Sequence, residues 1–205
     1  MPHCRRSGAF CFAVVLALGC LHVSAKAESP AAKIAELAQP HIVMLIAEPE
    51  YKTNISLPAY AKSDLGEFRV SIIQGEKEKN DLPGIEKVIS DADVILVSVR
   101  RRMLPTVQMQ LIRKHVAAGK PVVGIRTASH AFSLRGKKDP PAGFELWEEF
   151  DPEVLGGHYT GHHSNDTKTA VRIAPGAEKH SILAGVDLKD FVGNGSLYKV
   201  NPIAK

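Results

Sequence analysis

Cysteine is nearly missing. Of 205 residues only Cys4, Cys11 and Cys20 are cysteines, all near the N-terminus, so the rest of the chain has no disulfide, thiolate metal site or cysteine nucleophile to use. Long hydrophobic runs are also lacking beyond Ala9 to Val23, a stretch too short and too rich in small residues at its end for a comfortable membrane span. No internal repeat or low-complexity block occurs, which excludes solenoid and compositionally disordered architectures. There is only one tryptophan, Trp147. What remains is ordinary for a single globular domain with a real core: 44% hydrophobic and 23% charged.

The N-terminus has its own logic. Arg5-Arg6 precede the apolar run, and Ala25-Lys26-Ala27 forms an A-x-A cleavage site before Glu28. This is the pattern of a secretory signal peptide over residues 1–27, followed by a linker over 28–40. It predicts a periplasmic or extracellular protein with no stable membrane insertion after cleavage. Leu18-Gly19-Cys20 offers the alternative of lipid attachment through Cys20, although Ala17 stands where a leucine is usual. The leader takes Arg5, Arg6 and Lys26 out of 26 basic residues and removes no acid, so 23 basic residues then face 22 acidic ones. A basic nucleic-acid footprint is therefore unsupported.

From His41 onward strands and helices alternate. His41 to Ala47 is a near-continuous apolar run of the kind buried on both faces of a parallel sheet. Leu57 to Leu65 reads as a helix, Phe68 to Ile73 as a strand and Pro83 to Ile89 as a short helix. Asp93 to Val99 is a third strand. Pro105 to Ala118 has helical spacing, opened by Pro105 and closed by Gly119. Pro121 to Gly124 is a fourth strand. This order predicts an α/β fold with a doubly wound parallel sheet of flavodoxin-like type. Further on, Phe144 to Phe150 and Asp151 to Leu155 read as short helices, Gly156 to His163 as a loop and Lys168 to Ala174 as a strand.

The fourth strand runs into Arg126 to His130, which reads as a strand-turn-helix elbow with Arg126 at its tip. Such elbows raise one side chain above the carboxyl edge of a sheet, where ligands bind. A guanidinium cannot be deprotonated to serve as a nucleophile. Ser129-His130 is not G-x-S-x-G, and adjacent residues make a poor nucleophile–base pair, so a serine hydrolase is disfavoured. Strand logic brings Glu48, Arg100 and Arg126 to His130 to a common edge.

Glu48 there reads either as a general base or metal ligand, or as a loop acid tied to an arginine. Arg126 reads as the holder of a carboxylate or oxyanion, or as part of an internal salt bridge. His130 is an acid/base group or a satisfied core histidine. Of Arg100 to Arg102, one is expected to be functional and two to lie at the surface. His158, His162 and His163 fall in G-G-H-Y-T-G-H-H and are candidate acid/base groups, ligands for a divalent metal such as zinc, or rim groups that bind sugar hydroxyls. Tyr159 provides an aromatic face for a sugar ring, or simply packs.

Four segments together carry a family resemblance: E-P-E-Y-K-T from Glu48, S-V-R-R-R from Ser98, G-I-R-T-A-S-H-A-F from Gly124, and L-G-G-H-Y-T-G-H-H from Leu155. Together they resemble the trehalose-utilisation (ThuA-like) family, in particular its secreted bacterial branch, from about His41 to the end. That family has a class I glutamine amidotransferase-like fold without the amidotransferase cysteine, in keeping with Arg126 at the elbow. The resemblance implies carbohydrate use, with a small-molecule sugar or sugar derivative as partner. Glu48, Arg126, His130, His158 and His162 are then the expected catalytic set, and Tyr51, Arg100, Ser129, Tyr159 and His163 the substrate-binding set. Members of the family continue with further strands, so the domain at 41–205 is expected to be incomplete at its C-terminus. The rival expectations are a non-catalytic carbohydrate- or anion-binding module and, last, a hydrolase relative using Ser129.

Overall fold

The computed structural model describes residues 39–136, 139–166 and 168–203. The expected leader over 1–27 and most of the linker lie outside the described residues. Among those described, no helix is long and apolar enough to cross a membrane.

The chain opens with β1 (His41–Ala47), followed by helix α1 (Thr53–Asp64), β2 (Arg69–Gln74) and β3 (Val94–Val99). A two-residue β4 (Leu104–Pro105) leads into helix α2 (Thr106–Ala117) and then β5 (Val122–Gly124). β2, β1, β3 and β5 form one parallel sheet in that spatial order. The register pairs Ile42 with Val94 and Ala47 with Val99, so β1 and β3 end level at their carboxyl edge.

The apolar run of β1 is continuous because both faces of the sheet are covered. Val43, Leu45 and Ala47 pack with Ile95, Val97 and Val99 against Met109 and Ile112 of α2. Met44 and Ile46 face the other way, onto Leu57 of α1. Each of these valine, leucine, isoleucine and methionine side chains, taken fully out of water, contributes roughly 1.5–3 kcal/mol.

α1 begins four residues before the expected start at Leu57. The Glu48 carboxylate accepts the Thr53 N–H and hydroxyl, which fixes the first turn. Pro58 then falls inside the helix. It has no N–H to give to the Asn54 carbonyl, and the Gln74 side chain donates to that oxygen instead, at 3.3 Å.

The structure differs from the sequence pattern in four further places. Pro83 to Ile89 is not one helix but two 3-10 turns, Ile85–Lys87 and Ile89–Asp91, the first entered through Gly84 at φ 88°. The segment around Trp147 is not helical at its start: β6 (Phe144–Glu145) pairs antiparallel with β4, and the Trp147 N–H bonds to Phe132 O. Helix α3 (Phe150–Val154) comes next. The histidine-rich stretch is then a strand, β7 (Gly157–His162), rather than a loop. After β8 (Lys168–Ala170), which ends earlier than expected, come β9 (Val192–Asn194) and β10 (Tyr198–Ile203). β10 pairs antiparallel with β7, and β9 with β8. Non-local partners decide all of these except the Gly84 turn, because a ribbon supplies hydrogen bonds that a glycine-rich segment cannot make alone.

Candidate functional site

The elbow after β5 is stapled to the end of β3. Ile125 N–H bonds to Val97 O, the Thr127 hydroxyl to Val99 O at 2.9 Å, and the backbone N–H groups of Arg101 and Arg102 to His130 O and Ala131 O. The strained residue is Thr127, at φ 83°, one position beyond the expected tip at Arg126. A β-branched residue there costs about 1–3 kcal/mol and persists only where its surroundings dictate it. A single 3-10 turn, Ala128–His130, follows in place of the expected helix.

Above this edge lies a cleft of about 220 Å³. The end of β1 supplies Glu50 and Tyr51, the end of β3 Arg100 and Arg101, and the elbow Arg126 and His130. β7 adds Tyr159 and His162, and the chain before and within β10 adds Ser196 and Tyr198. Segments distant in sequence thus share one pocket. Six of the ten expected site residues line it: Tyr51, Arg100, Arg126, His130, Tyr159 and His162.

The other four lie elsewhere. Glu48 faces a neighbouring cleft of about 260 Å³ with Gln74 and Arg102. It is buried, and its oxygens accept from Glu50 N (2.7 Å), Tyr51 N (2.9 Å), Thr53 N (3.1 Å) and Thr53 Oγ1 (2.7 Å). Burial alone would push its pKa up, but hydrogen bonds from the Thr53 side chain and the three backbone donors outweigh that and hold it below the ordinary value. Ser129 and His158 line a third cleft, of about 310 Å³, with Glu148 and Asp151. His163 is exposed, and its backbone N–H bonds to Leu197 O. His158 and His162 thus face different clefts, and among the described residues no group of three or more His, Cys, Asp or Glu side chains is placed to hold a metal ion.

Within the cleft, Arg126 lies between two rings, 4.8 Å from the Tyr51 centroid and 4.9 Å from that of Tyr198. Its guanidinium donates to Ser196 O at 2.7 Å and Ser196 Oγ at 3.1 Å. Tyr159 and Tyr198 meet edge to face at 4.6 Å, and the His130 ring sits 5.1 Å from Tyr159. His130 Nδ1 is 3.2 Å from Ser129 Oγ. Burial, then the charges of Arg101, Arg100 and Arg135, pull the His130 pKa from 6.5 to about 4 against the opposing pull of Asp151. At neutral pH this imidazole is uncharged, with a lone pair free to accept a hydrogen bond, and it is a weaker base than an ordinary histidine. The Tyr198 hydroxyl is pushed above its ordinary value, mainly by burial and against the pull of Arg126, so it stays protonated.

The R-R-R run does not divide into one functional and two surface residues, because Arg102 turns inward where backbone carbonyls can take its donors. Arg100 pairs with Glu50 at 2.8 Å. Arg102 is buried and bonded to Ala47 O (3.4 Å) and Lys79 O (2.5 Å). Arg101 lines the cleft in a left-handed conformation, φ 50°. Sequence reasoning missed Arg101 as the distinctive member of the run, and it missed Ser196 and Tyr198 entirely. Only the strand-end position of the run signalled the first, and nothing short of the β7–β10 pairing signals the other two. No protein-family model matches this chain, and no curated protein or solved structure matches it.

Proposed function

We propose that this chain is a ThuA-like domain with a flavodoxin-like, class I glutamine amidotransferase-like fold, exported by its leader. In this reading the cleft at the sheet edge acts on a sugar or sugar derivative by acid/base chemistry, and the protein is not an amidotransferase. The strand order β2-β1-β3-β5 supports the fold assignment, since it is the order of the first four strands of flavodoxin-like sheets. The observation that carries the function is the neutral His130 imidazole beside the Tyr159 and Tyr198 rings, in a cleft lined by guanidinium groups. Aromatic faces suit sugar rings, and a neutral imidazole among guanidinium groups suits removal of a proton from a hydroxyl whose developing negative charge those groups stabilise. With Glu48 held by four internal donors, His130 is the acid/base group and Glu48 positions the Glu48–Thr53 loop. His162 and Tyr51 serve as contacts at the cleft wall.

The test is turnover of mono- and disaccharides and their oxidised derivatives by the full chain, followed by chromatography, for wild type and His130→Gln. Loss of a proton-transfer group reduces turnover by about 10²–10⁴-fold. A folded His130→Gln protein with undiminished turnover overturns the reading. A second reading, a non-catalytic carbohydrate- or anion-binding module, is favoured by the engagement of both Glu48 and Arg126 with protein groups. In that case calorimetry records sugar binding while no product forms on long incubation.

A further inference from the structure

The three consecutive arginines after β3 differ in what satisfies them. Arg100 has Glu50 and Arg102 has two backbone carbonyls. Arg101 has no acidic partner among the described residues, and its Nε is buried with no hydrogen-bond acceptor. It also holds a positive φ, which long side chains avoid. An orphaned buried donor and an unfavourable backbone on one cleft-lining residue both cost the folded protein stability. Backbone strain of this kind clusters at ligand-binding sites, and this residue lines the cleft with its charge unpaired by any acid among the described residues.

We propose that Arg101 is the anion anchor of this cleft, and that its ligand is a sugar carrying an acidic group, a carboxylate or a phosphate. The proposal rests on the reading of the cleft as a sugar site and adds a charge to that sugar. Three guanidinium groups on the wall face one carboxylate, Glu50, which Arg100 already neutralises. Arg126 is held by Ser196 and stacked between Tyr51 and Tyr198, whereas Arg101 makes no side-chain hydrogen bond among the described residues and keeps its donors for a ligand. A planar fork of N–H groups matches either anion with charge-assisted hydrogen bonds. At about 220 Å³ the cleft is smaller than the roughly 300–1,000 Å³ of drug-sized sites, which limits the ligand to about one ring.

Calorimetry on the full chain, comparing glucuronate, its methyl ester, glucose 6-phosphate and glucose, tests this. Arg101→Asn removes the fork while keeping a residue that tolerates positive φ, and a thermal melt confirms that it folds. Arg101→Lys keeps the charge but loses the fork. At least one acidic sugar is expected to bind about tenfold or more tighter than glucose, the strength of a charge-assisted pair. Esterifying glucuronate or substituting Asn should erase that preference, and Lys should keep part of it. The stronger of the two acids identifies the anion. Equal binding of glucose and both acids, or an acid preference that survives Arg101→Asn, overturns the proposal. If glucose binds and depends on His130 while the acids gain nothing, the anion anchor fails and the sugar site stands. If no sugar of either kind binds, both fail.

Discussion

His130 makes the sharpest test of the electrostatics, because its pKa enters the folding equilibrium with a definite sign. Above pH 6.5 the imidazole is neutral in both folded and unfolded chains and adds no pH dependence. Between 6.5 and about 4 the unfolded chain takes a proton that the folded one refuses, so stability falls as pH falls. Below about 4 both forms are protonated and the slope ends. The full displacement corresponds to roughly 3 kcal/mol, and screening by water at the cleft mouth reduces this to about 1–2 kcal/mol. Guanidinium unfolding at a series of pH values from 7.5 to 3.5, on wild type and His130→Gln, isolates the effect. His115, whose pKa is also lowered by burial, and the carboxylates Glu48 and Asp91 titrate in both proteins and cancel in the difference. Wild type should lose about 1–2 kcal/mol more than the variant across this window. A difference that stays flat, or an NMR titration placing the His130 midpoint at or above 6.5, refutes the argument.

Glu48→Gln should destabilise the protein by about 2–4 kcal/mol, since an amide turned toward four donors leaves some of them unpaired. In wild type the Glu48 contribution is present above the ordinary carboxylate pKa and disappears as pH falls through its lowered folded value, so the cost of the substitution should shrink in acid. Gly157→Ala would put a Cβ 2.5 Å from Val200 Cγ1 across the β7–β10 ribbon, and should cost about 1–3 kcal/mol. Val200→Ala in the same chain should recover much of it, a coupling that a double-mutant cycle of unfolding free energies measures directly.

The parallel sheet could be read from the chain because its signals are local: the apolar runs of β1 and β3, and the Pro105 and Gly119 brackets around α2. The meeting of Arg100, Arg126 and His130 followed from the same logic, as parallel strands deliver their following residues to one edge. Glu48 lies at that edge as strand logic requires, but sequence cannot show that the next five residues fold back to donate to its carboxylate. The short helix expected over Asp151 to Leu155 is present, but Phe144–Glu145 and Gly157–His162 depart from their local pattern because their structure is set by partners far away, Leu104–Pro105 for one and Tyr198–Ile203 for the other. Glycines at 156, 157 and 161 weigh against a helix and equally permit a loop or a strand. Only the partner strand decides between the last two.

That dependence reaches the site itself. Arg126 joins the elbow to the approach of β10 through Ser196, and its stacking on Tyr51 ties in the loop after β1. Removing Arg126 would therefore loosen three walls of the cleft at once, and loss of binding in Arg126→Ala would report a collapsed site as readily as a lost ligand contact. Arg101 ties no other wall together: its Nε has no hydrogen-bond partner among the described residues, its backbone bond to His130 O does not depend on the side chain, and its charge effect on His130 is kept in Arg101→Lys. The two arginines thus separate architecture from recognition. A ligand whose affinity falls with Arg101 substitution, while the thermal midpoint holds or rises, touches the guanidinium directly. One whose affinity falls only when Arg126 is lost, with the midpoint falling alongside, depends on the wall rather than on the charge.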